Sequence, residues 1–472
     1  MHNKIKGVNS ANIFPIRKKI ISMKKEIKNV PAQIFEPIKN YLDQECQVIV
    51  AFSGGIDSSV LLDLTLKMIP LRNLLVIHVN HGLSAKSIEW EKHSKQICEA
   101  FGVKFIAEKV NISGHGKGLE AAARSARYKV FEKHLVKDGV LLQGHHFDDQ
   151  VETVLYRLLR GSGSKGLTGI PKLRKLAHGM LFRPLLGMKK IDIQNYAEAN
   201  SLKWVEDDSN QSSDFDRNYI RNSVLPVITK RWPDYHSRFD TLIRNSRANK
   251  QLSMAVFKQD LKFLNQKEER GGYSISLKSF VEMDKSRQKN FLLYWADSNG
   301  MQSPGHKVIG EAINSLATLS EETGPIVSFR DSEYRRYRDR LFLLDTTFFS
   351  DLETLKSQTI LWNGESRLDL DPVSHLTFEK SLGFGVRYPK GIPVIIKFRQ
   401  GGERSHPQER PHSNTLKKCL QEFGLEPWWR DYVPLIYYGS ELVAVADLWI
   451  QKDWQADADQ DGLNISWISN IR

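Results

Sequence analysis

Short apolar runs alternate with amphipathic stretches along the first half of the chain. Four runs have the β-branched and aliphatic character of buried strands, and they cover residues 47–52, 73–79, 103–110 and 139–143. Four stretches between and after them carry apolar positions at helical spacing, and they cover residues 58–68, 89–101, 119–136 and 148–160. Strands that alternate with helices of this length predict an α/β fold with a doubly wound, mostly parallel sheet.

The pattern changes twice in the second half of the chain. Residues 232–345 are rich in charge and contain amphipathic stretches, such as 240–263, which predict a mainly helical domain. From about residue 346 shorter strand-like runs return, and they predict a small mixed α/β C-terminal domain. The expected organisation is a basic N-terminal extension followed by three domains, with the segments at residues 1–45, 46–228, 232–345 and 355–460.

Composition narrows the class of protein. Of the 472 residues, 40% are hydrophobic and 26% are charged, which excludes collagen-like, mucin-like and mainly disordered chains. No apolar run reaches about 18 residues, so we expect no membrane span and a cytoplasmic location. The formal net charge is +13, which favours a polyanionic partner, most often nucleic acid.

The cysteines and the N-terminal segment add little chemistry. Cys46, Cys98 and Cys419 lie far apart and form neither a disulfide framework nor a C-x-x-C metal site, which indicates reduced structural thiols. The first 25 residues contain no acidic residue. That segment fits a transit peptide, a basic tail that helps to hold RNA, or a stretch upstream of a start at Met23.

A glycine- and serine-rich loop connects the first predicted strand to the first helix, with the sequence Ser53-Gly54-Gly55-Ile56-Asp57-Ser58-Ser59. The two glycines let the backbone approach an anion, and successive N–H groups at the helix N-terminus then face phosphate. Asp57 repels a bare phosphate but can bridge to one through Mg²⁺. No G-K-[ST] ending follows, so this is not the P-loop of kinase-type NTPases. The alternative is a polar turn that caps the helix.

Histidines and carboxylates cluster after the fourth predicted strand. If the next helix starts near Asp148, then Asp148 and Glu152 share a face, and Asp149 also neighbours Glu152. These carboxylates indicate either N-terminal capping or a site for Mg²⁺ or a cationic amine. Zinc is a further candidate for the group that includes His145 and His146, but no additional ligand spacing supports it.

Two pairs of arginines have helical spacing. Arg124 and Arg127 make a clamp for phosphate or carboxylate if they share a helix face, whereas an ion pair between Glu120 and Arg124 is the alternative. Arg217 and Arg221 lie four residues apart and suit phosphate or base contacts, unless they belong to an ordinary polar loop.

Residues 161–166 match the pattern G-x-G-x-x-G but follow a predicted helix instead of a strand. The dinucleotide-binding fingerprint requires a preceding strand. We therefore predict a flexible loop near the active face.

Together these residues resemble the N-type ATP pyrophosphatase (PP-loop) superfamily, and within it the long form of the tRNA(Ile)-lysidine synthetase family, which has two C-terminal domains. The resemblance covers about residues 46–450 and rests on AFSGGIDSS, HVNHGLSA, LEAAARSARY, GHHFDDQVETVLYRLLRGSGSKGLTGI, FRPLL, RNYIR and KKCLQEFGLEPWWRDYVPLIYYG. Where this family often has Asp-Pro before Ser/Thr-Asn, the chain has Asp207-Asp208-Ser209-Asn210. The resemblance implies a PP-loop ATPase fold of the adenine nucleotide alpha hydrolase type in the first domain.

The resemblance implies a two-step reaction on an isoleucine tRNA with a CAU anticodon. ATP adenylates the C2 carbonyl oxygen of the cytidine at the first anticodon position, and pyrophosphate leaves. The ε-amine of L-lysine then attacks C2, and AMP leaves. The product, lysidine, pairs with A instead of G, so codon reading changes from AUG to AUA and charging from methionine to isoleucine. The implied partners are this tRNA, L-lysine, ATP and Mg²⁺, and relatives also suggest a homodimer.

The resemblance also suggests roles for individual residues. ATP binding falls to Ser53, Gly54, Gly55, Ile56, Asp57, Ser58, Ser59 and His78. Catalytic roles fall to Asp57, Arg124, Arg127, His145 and Asp149, with His145 or His146 as the base that takes the amine proton. Lysine binding falls to Asp148, Asp149 and Glu152, and Mg²⁺ to Asp57 and Asp149. Contacts to tRNA fall to Arg217, Arg221, Lys417, Lys418 and Arg430.

Alternatives remain for the C-terminal residues and for the reaction. Trp428 and Trp429, beside Arg430, favour a packed core over a surface that stacks on RNA. A PP-loop thiolase would need a cysteine pair or an iron–sulfur cluster, and the cysteine spacing does not supply one. A glutamine-fed amidotransferase would need a glutaminase domain, which is not visible in the sequence. A catalytically silent tRNA-binding protein would not need the complete glycine-rich loop.

Overall fold

The computed structural model describes residues 32–82, 86–111, 117–206, 216–316, 326–347, 349, 354–372 and 374–469. Most of the expected N-terminal extension and the stretch from Asp207 to Asn210 lie outside these ranges. The chain divides into two compact units, Met1–Lys250 and Gln251–Arg472.

A six-stranded sheet lies at the centre of the described part of the first unit. Its strands are β1 Val48–Ala51, β2 Leu74–Asn80, β3 Lys104–Lys109, β4 Val140–Leu142, β5 Leu173–Leu176 and β6 Gly179–Phe182. The order is β3-β2-β1-β4-β6-β5. Neighbours from β3 to β6 run parallel, and β5 joins the edge as an antiparallel hairpin with β6. The predicted mostly parallel sheet is confirmed.

The helices of this unit connect and cover the strands. They are α1 Lys39–Leu42, α2 Ile56–Leu66, α3 Ser87–Ala100, α4 Lys117–His134, α5 Phe147–Leu159, α6 Lys190–Ala199, α7 Asp216–Tyr219 and α8 Leu225–Arg231. A π-helical turn, Ile220–Val224, joins α7 to α8. The predicted strands and helices up to residue 160 agree with the observed ones within two residues at each end.

Alternate residues of β1 bury opposite faces of the sheet. Val48 and Val50 pack against α2 around Val60, whereas Ile49 packs against Phe131 of α4. Burial on both faces explains why β1 is apolar throughout instead of alternating with polar residues. The fold also begins earlier than residue 46, because Phe35 lies in the same core and is 1% exposed.

The strand order reverses on the two sides of β1, since β2 and β3 lie on one side and β4 on the other. The loops that follow β1 and β4 therefore diverge at the carboxyl edge of the sheet and leave a crevice there. In open α/β sheets this switch point is where ligands bind.

The second unit begins with helices and a sheet. The long helix α9, Tyr235–Phe263, begins in the first unit and ends in the second. It is followed by α10 Leu277–Glu282, α11 Lys285–Ser298 and α12 His306–Leu316. The expected helices over residues 232–345 are thus present. The structure adds an antiparallel sheet in the order β7-β8-β11-β10-β9, formed by Lys267–Glu269, Gly272–Ser276, Val327–Phe329, Ser332–Tyr337 and Arg340–Asp345 for β7 to β11. The sequence did not reveal it, because strands such as SEYRRY carry charge where apolar alternation is expected.

The C-terminal part of this unit is the predicted mixed α/β structure. Its elements are β12 Thr359–Trp362, β13 Arg367–Asp369, β14 Ser374–Leu382, β15 Val386–Arg387, β16 Val394–Lys397, β17 Arg404–Ser405, β18 Asn414–Thr415, α13 Leu416–Phe423, β19 Leu435–Tyr438, β20 Glu441–Val445, β21 Trp449–Ile450 and β22 Asp461–Ser469. The two larger sheets have the orders β12-β16-β19-β20-β21 and β13-β14-β22-β15. In the described ranges of both units, no helix is long and apolar enough to cross a membrane.

Candidate active site

The loop after β1 has a backbone that only glycine accommodates at one position. Gly54 has a φ of +84°, and a Cβ placed there would lie 3.1 Å from both the Ser94 Oγ and the Val205 Cγ2. Its carbonyl oxygen accepts a 2.9 Å hydrogen bond from the Val205 N–H. Gly55 is then extended and caps α2, so Ile56 and Asp57 begin the helix. The loop therefore presents the open N–H groups of a helix N-terminus to the crevice.

Serine hydroxyls brace this loop. Ser58 Oγ donates to the Gly55 carbonyl at 2.8 Å and accepts from the Ser53 N–H at 3.3 Å. The Ser53 hydroxyl lies 3.2 Å from the same Ser58 oxygen. Ser59 Oγ is buried and has no hydrogen-bond partner among the described residues. Ser58 thus shapes the loop, whereas the exposed Ser53 is open to a ligand.

Asp57 has a basic partner that sequence reasoning missed. The Lys190 Nζ lies 2.7 Å from the Asp57 Oδ1, across the crevice from the N-terminus of α6. No local pattern marks Lys190, because it is separated from Asp57 by more than a hundred residues. The contact places a positive charge beside the glycine-rich loop that follows β1.

His146 lies between the loop after β1 and the start of α5. Its Nε2 is 3.7 Å from the Asp57 Oδ1 and 3.7 Å from the Asp149 Oδ2. Its backbone N–H donates to the Asp149 Oδ2 at 2.8 Å, so Asp149 also caps the helix. Burial tends to raise the pKa of Asp149, but the nearby His146, the hydrogen bond from its backbone N–H and the charge of Arg221 outweigh burial and lower it. The structure therefore brings together Asp57 and Asp149, as the sequence predicted.

Asp148 is held by groups from two other helices. It accepts from the Lys190 backbone N–H at 2.8 Å, the His236 Nε2 lies 3.0 Å away, and the Tyr235 hydroxyl donates at 3.3 Å. Burial tends to raise the pKa of Asp148, but these hydrogen bonds from His236 and Lys190 lower it. Its carboxylate thus ties α5 to α6 and α9.

Glu152 is paired with Arg221. The Arg221 Nε and Nη2 donate to the two carboxylate oxygens at 2.6 and 2.8 Å, and Nη2 also lies 3.4 Å from the Asp149 Oδ1. The Glu152 side chain is 4% exposed and that of Arg221 is 40% exposed. Burial raises the pKa of Glu152 against the pull of Arg221. The pKa of Arg221 is raised because hydrogen bonding to Glu152 and the nearby carboxylates outweigh burial.

Arg217 lies one helical turn before Arg221. Its Nη2 donates to the Thr153 Oγ1 at 3.4 Å, so both predicted arginines of this stretch face α5. The role of both arginines in binding tRNA stays a prediction.

Three guanidinium groups gather around Tyr128. Arg124 donates to its hydroxyl at 3.3 Å, Arg183 lies 3.5 Å from the same oxygen, and Arg174 lies over the ring, 5.1 Å from its centre. Burial tends to raise the pKa of Tyr128, but the three arginines lower it. Among the described residues, no carboxylate forms an ion pair with any of these arginines. This uncompensated charge favours an anionic ligand.

His145 lies beside this cluster. The Arg183 Nε donates to its Nδ1 at 3.2 Å. Burial, together with the charges of Arg183, Arg124 and Arg127, lowers the pKa of His145 to about 3, although Asp149 acts in the opposite direction. The imidazole is therefore neutral at physiological pH.

His78 lies on the second strand, and His81 follows directly after it. The His78 Nδ1 lies 3.0 Å from the Phe52 carbonyl oxygen, which can only accept, so Nδ1 carries the proton and Nε2 is an acceptor. Burial lowers the pKa of His78. Burial and the charges of Arg127 and His78 lower the pKa of His81 to about 4. The positive charge of Arg127 therefore acts on both His81 and His145.

The G-x-G-x-x-G match at residues 161–166 does not form a dinucleotide-binding loop. Gly161 has a φ of +69° just after α5, and the Arg157 Nη1 donates to the carbonyl oxygens of Gly166 and Gly169 at 2.9 and 3.0 Å. The segment is a turn fastened to its own helix.

The residues predicted to bind tRNA in the C-terminal domain differ in their surroundings. Lys417 and Lys418 are exposed at the start of α13. Arg430 instead donates to the Leu425 carbonyl at 2.9 Å and to the Tyr337 hydroxyl at 3.1 Å. Trp429 is 1% exposed and belongs to the core, which confirms the packing interpretation of the tryptophan pair.

The cysteines do not form a reactive site. Burial raises the pKa of Cys46 and of Cys419, and raises that of Cys98 to about 12. All three are free thiols, and thiolate is the form that reacts or binds metal. A sulfur-transfer chemistry based on these residues is therefore disfavoured.

The described residues contain no group of three or more His, Cys, Asp or Glu side chains placed to hold a metal ion by themselves. This fits Mg²⁺ bound with a nucleotide, because Mg²⁺ commonly takes one or two carboxylates and completes its shell with phosphate oxygens and water. Asp57 and Asp149, which both flank His146, are the oxygen donors of that kind.

Sequence reasoning thus missed the groups that orient the predicted residues, namely Lys190, Arg183, Tyr128 and His236. Arg183 and Tyr128 lie within the stretches FRPLL and LEAAARSARY, so the family resemblance contained a signal for them. No sequence pattern or quoted family motif pointed to Lys190 or His236.

Comparisons with known proteins agree with this architecture in three parts of the chain. A family model for a PP-loop domain matches residues 23–228, one for a TilS substrate binding domain matches residues 275–342, and one for a TilS substrate C-terminal domain matches residues 394–467.

Curated relatives match most of the chain. The tRNA(Ile)-lysidine synthase of Coxiella burnetii is 35% identical, over 88% of this chain and 92% of its own length. That of Pectobacterium atrosepticum is 33% identical, over 90% and 95%. That of Legionella pneumophila strain Lens is 33% identical, over 86% and 91%. With the PP-loop at the switch point of the sheet and both further domains present, the chain belongs to the tRNA(Ile)-lysidine synthase family.

Proposed function

We propose that this protein uses ATP to attach L-lysine to C2 of the cytidine at the first anticodon position of CAU-anticodon isoleucine tRNA, which makes lysidine. The observation that carries the proposal is the convergence of the Gly54–Gly55 loop, Asp57 and the α5 carboxylates at one crevice, in a chain that belongs to the lysidine synthase family. The reaction changes codon reading from AUG to AUA.

The first step is adenylation of the cytidine. The C2 carbonyl oxygen attacks the α-phosphorus of ATP, a P–O bond forms, and pyrophosphate leaves. N–H groups at the N-terminus of α2 and the Ser53 and Ser59 hydroxyls suit the phosphates, and His78 suits the adenine or ribose. Arg124 and Arg127 stabilise the charge that develops on the α-phosphate.

Mg²⁺ would be held by Asp57 and Asp149 together with phosphate oxygens. When bound, it supplies positive charge that neutralises the polyphosphate. Lys190 beside Asp57 would add a second positive charge at the same end of the loop.

The second step is displacement of AMP by lysine. The bound ε-ammonium first gives up one proton to solvent. The neutral amine then attacks C2, a C–N bond forms, the C2–O bond to AMP breaks, and the second amine proton passes to His146, the other predicted base. Of the three carboxylates predicted to bind lysine, Asp149 is the best placed to receive an ammonium, because its Oδ1 has only a 3.4 Å contact with Arg221, whereas His236 and Arg221 lie within 3.0 Å of Asp148 and Glu152. Asp148 and Glu152 would then hold the lysine site in shape.

The basic surface of the chain suits the tRNA. Arg217 and Arg221 lie at the crevice and suit the anticodon, whereas the exposed Lys417 and Lys418 suit the phosphate backbone elsewhere on the tRNA. Arg430 is less suitable for binding tRNA, because its guanidinium already donates hydrogen bonds within the protein. A homodimer and a cytoplasmic location stay predictions from the resemblance.

The test is incorporation of labelled L-lysine into a CAU-anticodon isoleucine tRNA transcript, with and without ATP. Elongator methionine tRNA, which carries the same anticodon, is the control for tRNA recognition. We expect ATP-dependent labelling of the isoleucine tRNA alone, and loss of labelling and of pyrophosphate release in Asp57→Asn. Pyrophosphate release without lysine incorporation would keep the adenylation step and overturn lysine as the nucleophile.

A further inference from the structure

Arg183 is the centre of a buried polar network that the roles given above do not use. Its side chain is 1% exposed, its Nη1 donates to the Pro171 carbonyl at 2.8 Å, and its Nη2 lies 3.4 Å from the Gln143 Oε1. The Tyr128 hydroxyl donates to the same Gln143 oxygen at 3.2 Å. These contacts fix the plane and direction of the guanidinium group.

The remaining contact of Arg183 determines the tautomer of His145. The Arg183 Nε donates to the His145 Nδ1 at 3.2 Å. A guanidinium group has only donors, so the Nδ1 must offer its lone pair. A neutral imidazole with an unprotonated Nδ1 carries its proton on Nε2.

The open nitrogen of His145 is therefore a donor. In the described part of the chain Nε2 has no hydrogen-bond partner, and the residue is partly exposed. Burial of the ring, together with the positive charges of Arg183, Arg124 and Arg127, keeps it neutral. For Nε2 to accept a proton as a base, the ring proton would have to move to Nδ1, where it would face the Arg183 N–H.

We infer that His145 acts as a neutral hydrogen-bond donor through Nε2–H to an oxygen that gains negative charge on the adenylyl group, and that Arg183 is the positioning residue that imposes this tautomer. The inference rests on the proposed adenylation reaction and assigns the proton of the attacking amine to a group other than His145. A fixed donor aimed at developing charge commonly contributes about 10²–10³ to a rate.

Substitution of His145 by glutamine or by alanine distinguishes a role as hydrogen-bond donor from a role as proton-accepting base. The glutamine side-chain amide places an N–H close to the position of the imidazole Nε2–H, but it cannot take up a proton at neutral pH. We expect His145→Gln to release pyrophosphate, at saturating ATP and tRNA, within about tenfold of the wild-type rate. We expect His145→Ala to lose about 10²–10³-fold. Equal losses in the two variants would mean that the proton-accepting function matters, and would overturn the inference.

The role of Arg183 is tested by Arg183→Lys, which keeps the charge but loses the planar fork. We expect kcat for pyrophosphate release to fall toward that of His145→Ala with little change in KM for ATP, because the donor and not ATP binding is lost. An unchanged kcat would overturn the positioning role. His178→Gln is the matched control, since His178 is exposed in the turn between β5 and β6 and should leave the rate unchanged.

Nitrogen NMR of histidine-labelled protein gives an answer that does not depend on activity or on the folding of a variant. We expect the His145 signals, assigned by their absence in His145→Gln, to show an unprotonated Nδ1 and a protonated Nε2. A proton on Nδ1 would overturn the inference. Wild-type protein that shows the expected tautomer but no tRNA-dependent pyrophosphate release would instead overturn the proposed function.

Discussion

At the scale of single residues, Gly54 shows how one backbone angle builds the nucleotide loop. Its φ of +84° is available to glycine at no steric cost, and the space for a Cβ is already taken by Ser94 and Val205. Both neighbours come from parts of the chain that pack behind the loop, so a side chain at position 54 would push the loop toward the ligand.

Gly54→Ala should weaken ATP binding. A non-glycine residue forced into this conformation costs about 1–3 kcal/mol, and the contacts at 3.1 Å add to it. Calorimetric titration with ATP should show a higher dissociation constant. The matched control is Gly102→Ala, which also has a positive φ, of +66°, but would meet nothing within 4 Å. Gly102→Ala should lower the melting temperature without changing ATP affinity, and an equal loss of affinity in both variants would contradict the steric explanation.

The lowered pKa of His81 predicts a stability that depends on pH. Burial, with Arg127 and His78, brings the pKa of this histidine down to about 4. An unfolded histidine titrates near pH 6.5, so between these values the unfolded chain binds a proton that the folded chain does not. The free energy of unfolding should therefore fall as the pH drops from 7 to 5, by about 1 kcal/mol from this residue, because solvent screens its partly exposed ring.

Calorimetric melting at a series of pH values measures this effect. His81→Gln should lose less stability than the wild type between pH 7 and pH 5, because glutamine has no proton to bind. The exposed His178→Gln should keep the wild-type pH dependence. Identical pH dependence in His81→Gln and the wild type would show that the neighbours of His81 relax around the protonated ring.

At the scale of elements, the π-helical turn Ile220–Val224 explains the position of Arg221. Pro226, the second residue of α8, has no N–H to donate to the residue four positions earlier, so the α-helical bonding pattern is interrupted there. The extra residue in the turn relieves this mismatch, as π-turns within helices often do near functional sites. Arg221 in this turn reaches both Glu152 and Asp149 on α5.

A double-mutant cycle on Glu152 and Arg221 should reveal strong coupling. Arg221→Gln leaves a carboxylate that is 4% exposed without its partner, and we expect it to cost about 1–3 kcal/mol, the penalty for a buried acceptor left unsatisfied. Glu152→Gln together with Arg221→Gln should cost less than the sum of the single changes, by at least about 1 kcal/mol. The measurement is urea unfolding of the four proteins.

The more exposed pair of Lys133 and Glu108 provides the control for this cycle, in which Glu108 keeps its 2.7 Å contact with His134 when Lys133 is changed. Its side chains are 65% and 25% exposed, and the charged atoms lie 2.8 Å apart. Because solvent screens such pairs, the coupling measured between Lys133→Gln and Glu108→Gln should stay within about 1 kcal/mol. Coupling at positions 152 and 221 that is no larger than this would mean that burial of Glu152 does not strengthen the pair.

At the scale of the whole molecule, the excess of positive charge suits a partner much larger than ATP. The net charge is +13, whereas the phosphates of one nucleotide neutralise only a few charges. Binding that neutralises phosphates releases counterions and weakens linearly with the logarithm of salt concentration. The salt dependence of tRNA binding thus counts the cations that take part.

Changing both Lys417 and Lys418 to Ala should weaken tRNA binding and lower the slope of log K against log salt by about 2. Filter binding at several salt concentrations measures the slope. Arg430→Gln also removes a positive charge and serves as the control, because the Arg430 guanidinium donates hydrogen bonds to Leu425 and Tyr337 within the protein. It should lower thermal stability and leave the slope unchanged. A slope that changes with Arg430 and not with the lysines would reverse the assignment.

The sequence by itself determined the features that depend on local pattern. The strands and helices up to residue 160 follow from apolar spacing, and Gly54 and Asp57 follow from the composition of one loop. Because strands of this kind must be parallel and buried, even the crevice between the loops after β1 and β4 could be predicted. The family resemblance then supplied the reaction.

Only the tertiary structure decided how the groups in the crevice are used. Lys190 at Asp57, Arg221 at Glu152 and Arg183 at His145 join residues far apart in the chain, and no local pattern encodes such a pair. The sheet of the second unit was missed for a similar reason, since its charged strands such as Ser332–Tyr337 are held by packing and not by their own alternation. The identity of a side chain sets what it can donate or accept, but its neighbours in space set which of these it does.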